Sequence, residues 1–305
     1  MSIIKNRLIK NNKRLRKYFA KINSNAYRIY HHDIPEYPYF IDLYNGEVIL
    51  HDRRLEKKDF SENKVSNYQE TLQAIKDLFN VDPIIKKRRE QKRQDKYQRL
   101  QFAENYSKIN EGDLWLRVNL HDYIDTGVFL DHRPLRRRLQ VESKNKEVLN
   151  LFSYTCSLSA ASAVSAKRVT SIDLSQKYLD WGKENFRMNN INPDNHQFLS
   201  MDILESLTTM PRNFYDIIIL DPPTFSNSKK MKSTLDTQRD HELLLSNCMQ
   251  LLKKDGILYF STNNLKFKLT FSDPKIEIKN ITHETLDEDF KNTRIHQCFR
   301  INWKG

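Results

Sequence analysis

The stretch EVLNLFSYTCSLSAASAVSAKRVTSIDLS, residues 147–175, decides the fold. It opens with an apolar run over 147–152 and continues through small residues over 157–166 that favour a helix. A second apolar run over 169–173 ends on Asp173. A strand, a helix and a second strand in this order predict two parallel strands joined by a right-handed crossover. The stretch is therefore expected to be the first unit of an α/β sheet.

The chain beyond this stretch repeats the alternation of strands and helices. Further strands are predicted at 196–201, 215–221, 256–262, 275–281 and 295–303, and further helices at 175–189 and 236–253. The predicted fold class is α/β, a Rossmann-like domain over 119–305 with a mostly parallel seven-stranded sheet.

The N-terminal part has a different pattern. Between Met1 and His32 there are nine Lys or Arg residues and no acidic residue, and apolar residues recur at helical spacing, which predicts a basic helix over 1–24. Residues 25–118 predict a small α+β domain with the order strand, strand, helix, strand, strand. Asn45-Gly46 between two strand-like runs predicts a tight hairpin turn.

Composition limits the function. Lys and Arg number 51 against 39 Asp and Glu, so the net charge is +12, which favours a polyanionic partner such as nucleic acid. Only six glycines occur and no two lie within ten residues, which excludes a Walker A loop and the G-x-G-x-x-G dinucleotide motif. Three widely spaced cysteines without a C-x-x-C pair predict no metal site and a reducing compartment. With no apolar run long enough for a membrane span or leader, we expect a cytoplasmic protein.

Polar groups follow four successive strands of the predicted sheet. They are Asn150, Asp173, Asp202 and Asp221. In open α/β sheets the ligand lies beyond the carboxyl ends of the strands, and an acidic residue about 20 positions after the first loop suits a ribose. Because the first loop lacks glycines that could hold a pyrophosphate, the predicted cofactor is an adenosine compound without phosphates, S-adenosylmethionine (SAM).

The sequence Asp221-Pro222-Pro223-Thr224-Phe225 after the fourth strand is the most specific motif. Two prolines fix the backbone and leave carbonyl oxygens exposed to a ligand. A carboxylate and an aromatic ring beside them can accept hydrogen bonds from a flat base and stack on it. The predicted catalytic residues are Asp221, Pro222 and Phe225.

Four motifs carry a family resemblance. They are DTGVFLDHR at 125–133, LNLFSYT at 149–155, DPPTFSNSK at 221–229 and QRDH at 238–241. The chain resembles the K half, the C-terminal methyltransferase, of the bacterial K/L-type 23S ribosomal RNA guanine methyltransferases over essentially its whole length. The resemblance implies a class I SAM-dependent enzyme that methylates nitrogen-7 of a guanine in 23S ribosomal RNA. Its partners would be 23S ribosomal RNA or a large-subunit assembly intermediate, and a fused or separate half that carries a second methyltransferase with a THUMP domain.

Strand ends, charge and resemblance together give the expected site residues. The cofactor-binding residues are expected to be Phe129, Asp131, Arg133, Asn150, Phe152, Ser153, Tyr154, Thr155, Asp173, Leu174, Asp202, Ile203 and Asp221. Arg133 is expected to bind the methionine carboxylate of the cofactor, with an RNA phosphate as the alternative. The expected RNA-binding residues are Lys13, Arg14, Arg88, Arg89, Lys229 and Lys230.

One residue departs from the family pattern. The family's first loop usually reads Ser-Tyr-Thr-Gly, and this chain has Cys156 where that glycine stands. A side chain there must fit beside the cofactor or shift the loop. The property in question is therefore cofactor affinity.

Three functions are alternatives to methylation of guanine nitrogen-7. Methylation of cytosine carbon-5 needs a cysteine nucleophile, and the segment after the fifth strand is Ser261-Thr262-Asn263-Asn264, so that chemistry is disfavoured. Methylation of an exocyclic base amine by the same fold remains open, since Asp-Pro-Pro-aromatic loops accept hydrogen bonds from amines. A catalytically lapsed RNA-binding assembly factor also remains open because of Cys156.

Overall fold

The computed structural model describes residues 2–54, 62–87, 105–227, 234–291 and 293–304. The chain divides into two compact units, residues 1–130 with 288–293, and residues 131–287 with 294–305. The division thus falls twelve residues after the boundary expected at 118/119, and a short C-terminal segment returns to the first unit. None of the described helices has the length and apolar character needed to cross a membrane.

The first unit contains a four-stranded sheet and a separate hairpin. Its elements are α1 (Ile3–Lys21), β1 (Ala26–His31), β2 (Tyr39–Tyr44), β3 (Glu47–Asp52), α2 (Glu62–Phe79), β4 (Ile84–Lys87), β5 (Ser107–Glu111) and β6 (Leu114–Val118). The sheet order is β1-β2-β3-β4, with β4 parallel to β3, while β5 and β6 form a separate two-stranded sheet. The sequence-based order is therefore wrong in detail, because three strands precede α2 and the last two form their own sheet.

The basic N-terminal helix belongs to the core of this unit. Ile4, Leu8, Leu15 and Phe19 of α1 are buried in one cluster with residues of the sheet, and the ring of Phe19 stacks on Tyr27 at 4.4 Å. The basic helix that was expected as its own region over 1–24 is thus part of the first unit, because its apolar face is buried against the sheet of that unit. The predicted hairpin turn is confirmed, with Asn45 at φ +48° and Gly46 at φ +94°, values typical of a primed turn.

The second unit contains the predicted seven-stranded sheet. Its strands are β7 (Glu147–Leu151), β8 (Arg168–Asp173), β9 (Gln197–Ser200), β10 (Tyr215–Leu220), β13 (Leu252–Thr262), β14 (Ile276–Asn280) and β15 (Gln297–Trp303). The order is β14-β15-β13-β10-β7-β8-β9. Strand β15 runs in the direction opposite to that of the other six strands. Because the chain proceeds from β7 outward through β8 and β9, then returns to β10, the topological switch lies between β7 and β10.

Five helices complete the second unit. They are α3 (Arg133–Glu142), α4 (Ser157–Ala163), α5 (Gln176–Met188), α6 (Ile203–Thr209) and α7 (Thr237–Leu251). The sequence predicts α4, α5 and α7 but neither α3 nor α6. A short ribbon of β11 (Phe225–Ser226) and β12 (Leu235–Asp236) was also not predicted. These elements are short or highly charged, so their apolar periodicity is weak.

Candidate active site

The loop after β7 has an unusual backbone. Phe152, Tyr154 and Cys156 have φ values of +57°, +50° and +58°, so three of five successive residues are in the left-handed region. Non-glycine residues rarely adopt this conformation, and such strain concentrates at ligand sites. Ser153 and Thr155 between them are buried. The predicted cofactor loop, residues 152–156, is therefore a strained turn at the carboxyl end of the central strand.

Asn150 lies one residue before the end of β7 and is almost fully buried. Its Nδ2 donates to Ser159 Oγ at 2.8 Å, but its Oδ1 has no hydrogen-bond partner among the described residues. A buried amide oxygen without a donor is costly, typically about 1–3 kcal/mol. Because Asn150 is enclosed by the protein, this oxygen is an unsatisfied buried acceptor next to the end of β7.

Asp173 ends β8 next to this loop. Its Oδ2 accepts a hydrogen bond from Tyr154 N and its Oδ1 from Ser175 N, both at 2.9 Å. Burial raises the pKa of this carboxyl, and the backbone donors offset the rise only in part. Among the described residues, no Lys, Arg or His forms a salt bridge with Asp173. Each carboxylate oxygen keeps a second lone pair, which can accept a ribose hydroxyl.

The two positions that follow the third strand cap a helix. Asp202 is buried and is the N-cap of α6, with its Oδ1 accepting from Leu204 N at 2.8 Å. Ile203, the first residue of α6, is buried in the core of the second unit, and Leu174 is partly buried after Asp173. The cap fixes the position of the Asp202 carboxylate at the start of α6.

Asp221 directly follows β10, the strand next to β7. Its Oδ1 accepts from Ser261 Oγ on β13 at 2.6 Å, and its Oδ2 lies 3.5 Å from His132 Nε2. The side chain of Asp221 is 23% exposed, so the carboxylate is held on two sides and open on another. The carboxylate can therefore reach a ligand while its orientation is fixed.

The two prolines and the aromatic ring continue from Asp221. Pro222 is buried, and Pro223 O accepts from Thr237 Oγ1 at 2.7 Å, which attaches the motif to the start of α7. Phe225 is 56% exposed on the short β11–β12 ribbon. A large exposed ring four residues after a fixed carboxylate is suited to stacking on a base.

Sequence reasoning missed two histidines beside Asp221. The ring of His132 stacks on that of His296 at 5.1 Å and 15°, and His296 binds Asp131 Oδ2 through Nδ1 at 2.7 Å and Thr285 Oγ1 through Nε2 at 2.9 Å. Although burial alone would raise the pKa of Asp131, His132 and the bond from His296 lower it below its usual range.

Asp131, His132 and His296 form the one group of possible metal ligands among the described residues. Their candidate ligand atoms lie within 4.8 Å of one another. Both ring nitrogens of His296 already have protein partners, Asp131 and Thr285. The group therefore fits a structural hydrogen-bond network better than a metal site. This pairing with His296 favours a structural role for Asp131, which was expected to bind cofactor. His296 lies 165 residues from Asp131, and no local pattern marks it.

Arg133 has a different environment from the one expected. Its side chain is fully buried, and its Nη1 donates to Asp287 Oδ2 at 3.1 Å. Asp287 also accepts two hydrogen bonds from Arg137, at 2.8 and 2.6 Å. A guanidinium fully buried against an internal carboxylate is poorly placed for a cofactor or a phosphate, so the structure favours a structural role.

The remaining expected residues belong to the first unit or fall outside the described ranges. Phe129 belongs to the first unit and is 42% exposed. Lys13 and Arg14 are exposed on α1, and Arg14 pairs with Glu288 Oε2 at 2.7 Å. Arg88, Arg89, Lys229 and Lys230 fall outside the described residues.

The three cysteines are fully buried thiols. Burial raises the pKa of Cys156 and Cys298 to about 12 and that of Cys248 still further. The thiolate is the nucleophilic form of cysteine, and these side chains do not reach it near neutral pH. A thiolate mechanism has no candidate among them.

Comparison with known sequences finds a family model and close relatives in sequence. Residues 90–275 match the family model described as S-adenosylmethionine-dependent methyltransferase. The chain is 42% identical over 301 residues to a Legionella pneumophila protein named ribosomal RNA large subunit methyltransferase K/L, and 41% identical over 307 residues to one of that name from Psychrobacter arcticus. Both alignments cover 97% of this chain, which spans only 42% and 40% of those two relatives.

Solved structures share the fold at lower identity. The crystal structure of SMU.776 complexed with SAH (S-adenosylhomocysteine) has a TM-score of 0.72 and 24% identity over 96% of this chain and 80% of that one. A second, from Streptococcus mutans, has a TM-score of 0.73 and 24% identity over 99% of this chain and 82% of that one. Since the family model covers more than half of the sequence, the chain belongs to the S-adenosylmethionine-dependent methyltransferase family.

Proposed function

We propose that this chain transfers a methyl group from SAM to nitrogen-7 of a guanine in large-subunit ribosomal RNA. The observation that carries the proposal is Asp221, a carboxylate fixed by Ser261 at the switch side of the sheet and followed by Pro222 and an exposed Phe225. The relatives named ribosomal RNA large subunit methyltransferase K/L support the RNA substrate.

The cofactor is expected to lie over the carboxyl ends of β7 and β8. Bound there, it supplies a methyl group on a positively charged sulfur. Asp173 would accept hydrogen bonds from its ribose through the lone pairs that Tyr154 N and Ser175 N leave unused. The left-handed turn of residues 152–156 would shape the loop around the rest of the molecule. Asp202 is the candidate for the adenine amine.

The base is expected to lie between Asp221 and Phe225. Guanine presents N1–H and an exocyclic amine on one edge, and both can donate to the open side of the Asp221 carboxylate and to the Pro222 carbonyl. Nitrogen-7 on the opposite side has a lone pair and no proton, so its methylation needs no general base. The rate would then come mainly from holding donor and acceptor about 3–3.5 Å apart.

Charge also favours this assignment. The positive charge of the sulfonium moves to the guanine ring during transfer, so a nearby carboxylate and an aromatic face stabilise the product side of the reaction. The target must leave its helix to reach a site at the end of the sheet. The exposed lysines of α1, such as Lys13, would contact RNA phosphates.

The test is nucleoside mass spectrometry of 23S ribosomal RNA after incubation with the protein and labelled SAM. We expect labelled 7-methylguanosine, together with strand cleavage after borohydride and aniline, because borohydride reduces the cationic imidazolium ring, the reduced base is lost, and aniline cleaves the chain at the abasic site. Label in an exocyclic N-methyl nucleoside without cleavage would replace N7 by the alternative. Tight SAH binding with no label in any RNA would favour an assembly factor without activity.

A further inference from the structure

Helix α5 supports the proposed cofactor loop through one of its faces. The ring of Tyr178 meets that of Tyr154 edge-on at 4.5 Å, and Asn185 Nδ2 donates to Thr155 O at 2.8 Å. Gly182 lies on α5 between these two residues, at helical spacing from both. The loop and this face of α5 are therefore docked residue by residue.

Gly182 is an unexpected residue for this position. It is buried in the middle of a thirteen-residue helix, where glycine has low intrinsic propensity. A Cβ at position 182 would lie 2.5 Å from Cys156 Sγ and 2.7 Å from Cys156 Cβ, whereas the next neighbour, Phe198, would be at an ordinary 3.5 Å. The absent side chain of Gly182 is thus the space that Cys156 occupies.

Cys156 is unexpected for the opposite reason. It has φ +58° and ψ +32° at the N-cap of α4, a conformation that favours glycine. Its side chain is fully buried, and its Sγ lies 3.6 Å from Ser153 Oγ and 3.7 Å from Tyr154 O, distances typical of weak thiol hydrogen bonds. Gly182 is unfavourable in the middle of a helix, and Cys156 is unfavourable in the left-handed region. The close contact between the two positions accounts for Gly182, because any side chain there would collide with Cys156.

We infer that Cys156 and Gly182 form a size-matched pair, and that Gly182 is a positioning residue that keeps loop 152–156 in its cofactor-binding conformation. The inference rests on the proposed cofactor role of this loop. The added atoms of Cys156 fill the space that a side chain on α5 would take in a chain with glycine at position 156. The burial that makes this thiol a poor nucleophile agrees with a packing role.

The test is a double-mutant cycle of Gly182→Ala and Cys156→Gly, read by calorimetric titration with SAH and by thermal unfolding. In Gly182→Ala the new methyl group collides with Cys156, so the loop must move. We expect SAH to bind at least about tenfold more weakly, about 1.4 kcal/mol, and the Tm to fall. The sign is informative, because Ala in an unobstructed helix position raises stability over Gly.

The second arm adds Ala at position 182 to the Cys156→Gly protein. With no side chain at position 156, the new methyl group has space. The SAH Kd values of Cys156→Gly and of the double variant Cys156→Gly/Gly182→Ala should therefore agree within about twofold, the usual limit of additivity. This comparison holds even if Gly182→Ala alone does not fold. A loss of affinity on adding Ala that is equal in both backgrounds would overturn the inference, as would unchanged binding in Gly182→Ala.

An Asp173→Ala control separates this inference from the proposed cofactor site. If Asp173→Ala loses SAH binding while Gly182→Ala does not, the size-matched pair fails and the cofactor site stands. If neither variant affects binding, the loop is not the cofactor site, and both fail. A purely structural role would lower the Tm of Gly182→Ala without changing the SAH Kd of the folded protein, which also contradicts the inference.

Discussion

At the scale of single residues, Asp221 carries the proposed chemistry. Replacement by Asn keeps the shape and removes the charge that fixes the guanine edge, so methyl transfer to RNA should fall by about a hundredfold or more. SAH binding should be retained, because the ribose contact is assigned to Asp173. Single-turnover transfer of labelled methyl and calorimetry measure the two effects.

Asp216 provides a matched control on the same strand. It lies at the opposite end of β10, where it binds Lys253 Nζ at 3.0 Å and Glu147 N at 2.9 Å. Asp216→Asn can lower stability but should leave the rate of the folded enzyme unchanged. Equal losses of transfer in the two variants would show that a carboxylate at the carboxyl end of β10 has no special role.

Asp173 gives cofactor binding a pH dependence. Because burial raises its pKa, this carboxyl takes up a proton at a higher pH than an exposed aspartate does. Protonation removes acceptor capacity for the ribose hydroxyls, so SAH affinity should fall as the pH is lowered from neutral, earlier than an ordinary Asp would allow. Titrations at a series of pH values measure this, and Asp173→Asn should show lower affinity and a flatter profile. A profile with the same slope in both proteins would assign the dependence to another group.

At the scale of elements, α1 has two faces with different tasks. Leu8 is fully buried in the first unit's core, whereas Ile9 beside it is 41% exposed. Leu8→Ala should lower the free energy of unfolding by about 2–5 kcal/mol, while Ile9→Ala should change it by less than about 0.5 kcal/mol. Urea denaturation measures both. Similar small effects would mean that α1 is not part of the folded core.

The exposed face of α1 is assigned to RNA. Lys13→Ala should reduce the slope of log affinity against log salt by about one unit, the effect of one phosphate contact. Lys254, exposed at the amino end of β13, is the control and should leave the slope unchanged. Filter binding to a 23S fragment across a salt series measures both variants. An unchanged slope for Lys13→Ala would mean that this lysine is only solvated.

The elements also show what a sequence can reveal. The strands that carry Asn150, Asp173 and Asp221 were predicted within a few residues, because buried parallel strands form continuous apolar runs. The short helices α3 and α6 were missed because α3 carries four arginines in ten residues and α6 has only seven residues. Short, charged elements depend on tertiary packing more than on local periodicity.

At the scale of the whole molecule, the side-chain contacts that the sequence did not predict join distant parts of the chain. Arg133 meets Asp287 and Asp131 meets His296 across 154 and 165 residues, so single-sequence reasoning assigned Arg133 and Asp131 to a ligand. The segment 288–293 returns to the first unit for the same reason, since its contacts are fixed by topology and not by local pattern.

The central claim is that the carboxyl ends of β7 and β8 bind the cofactor, with its ribose on Asp173. A crystal structure of the protein in complex with SAH tests it most directly. We expect the ribose hydroxyls within hydrogen-bond distance of Asp173 and the loop of residues 152–156 in its left-handed conformation around the ligand. SAH bound elsewhere on the protein, with Asp173 contacting only Tyr154 and Ser175 of its own chain, would contradict the account.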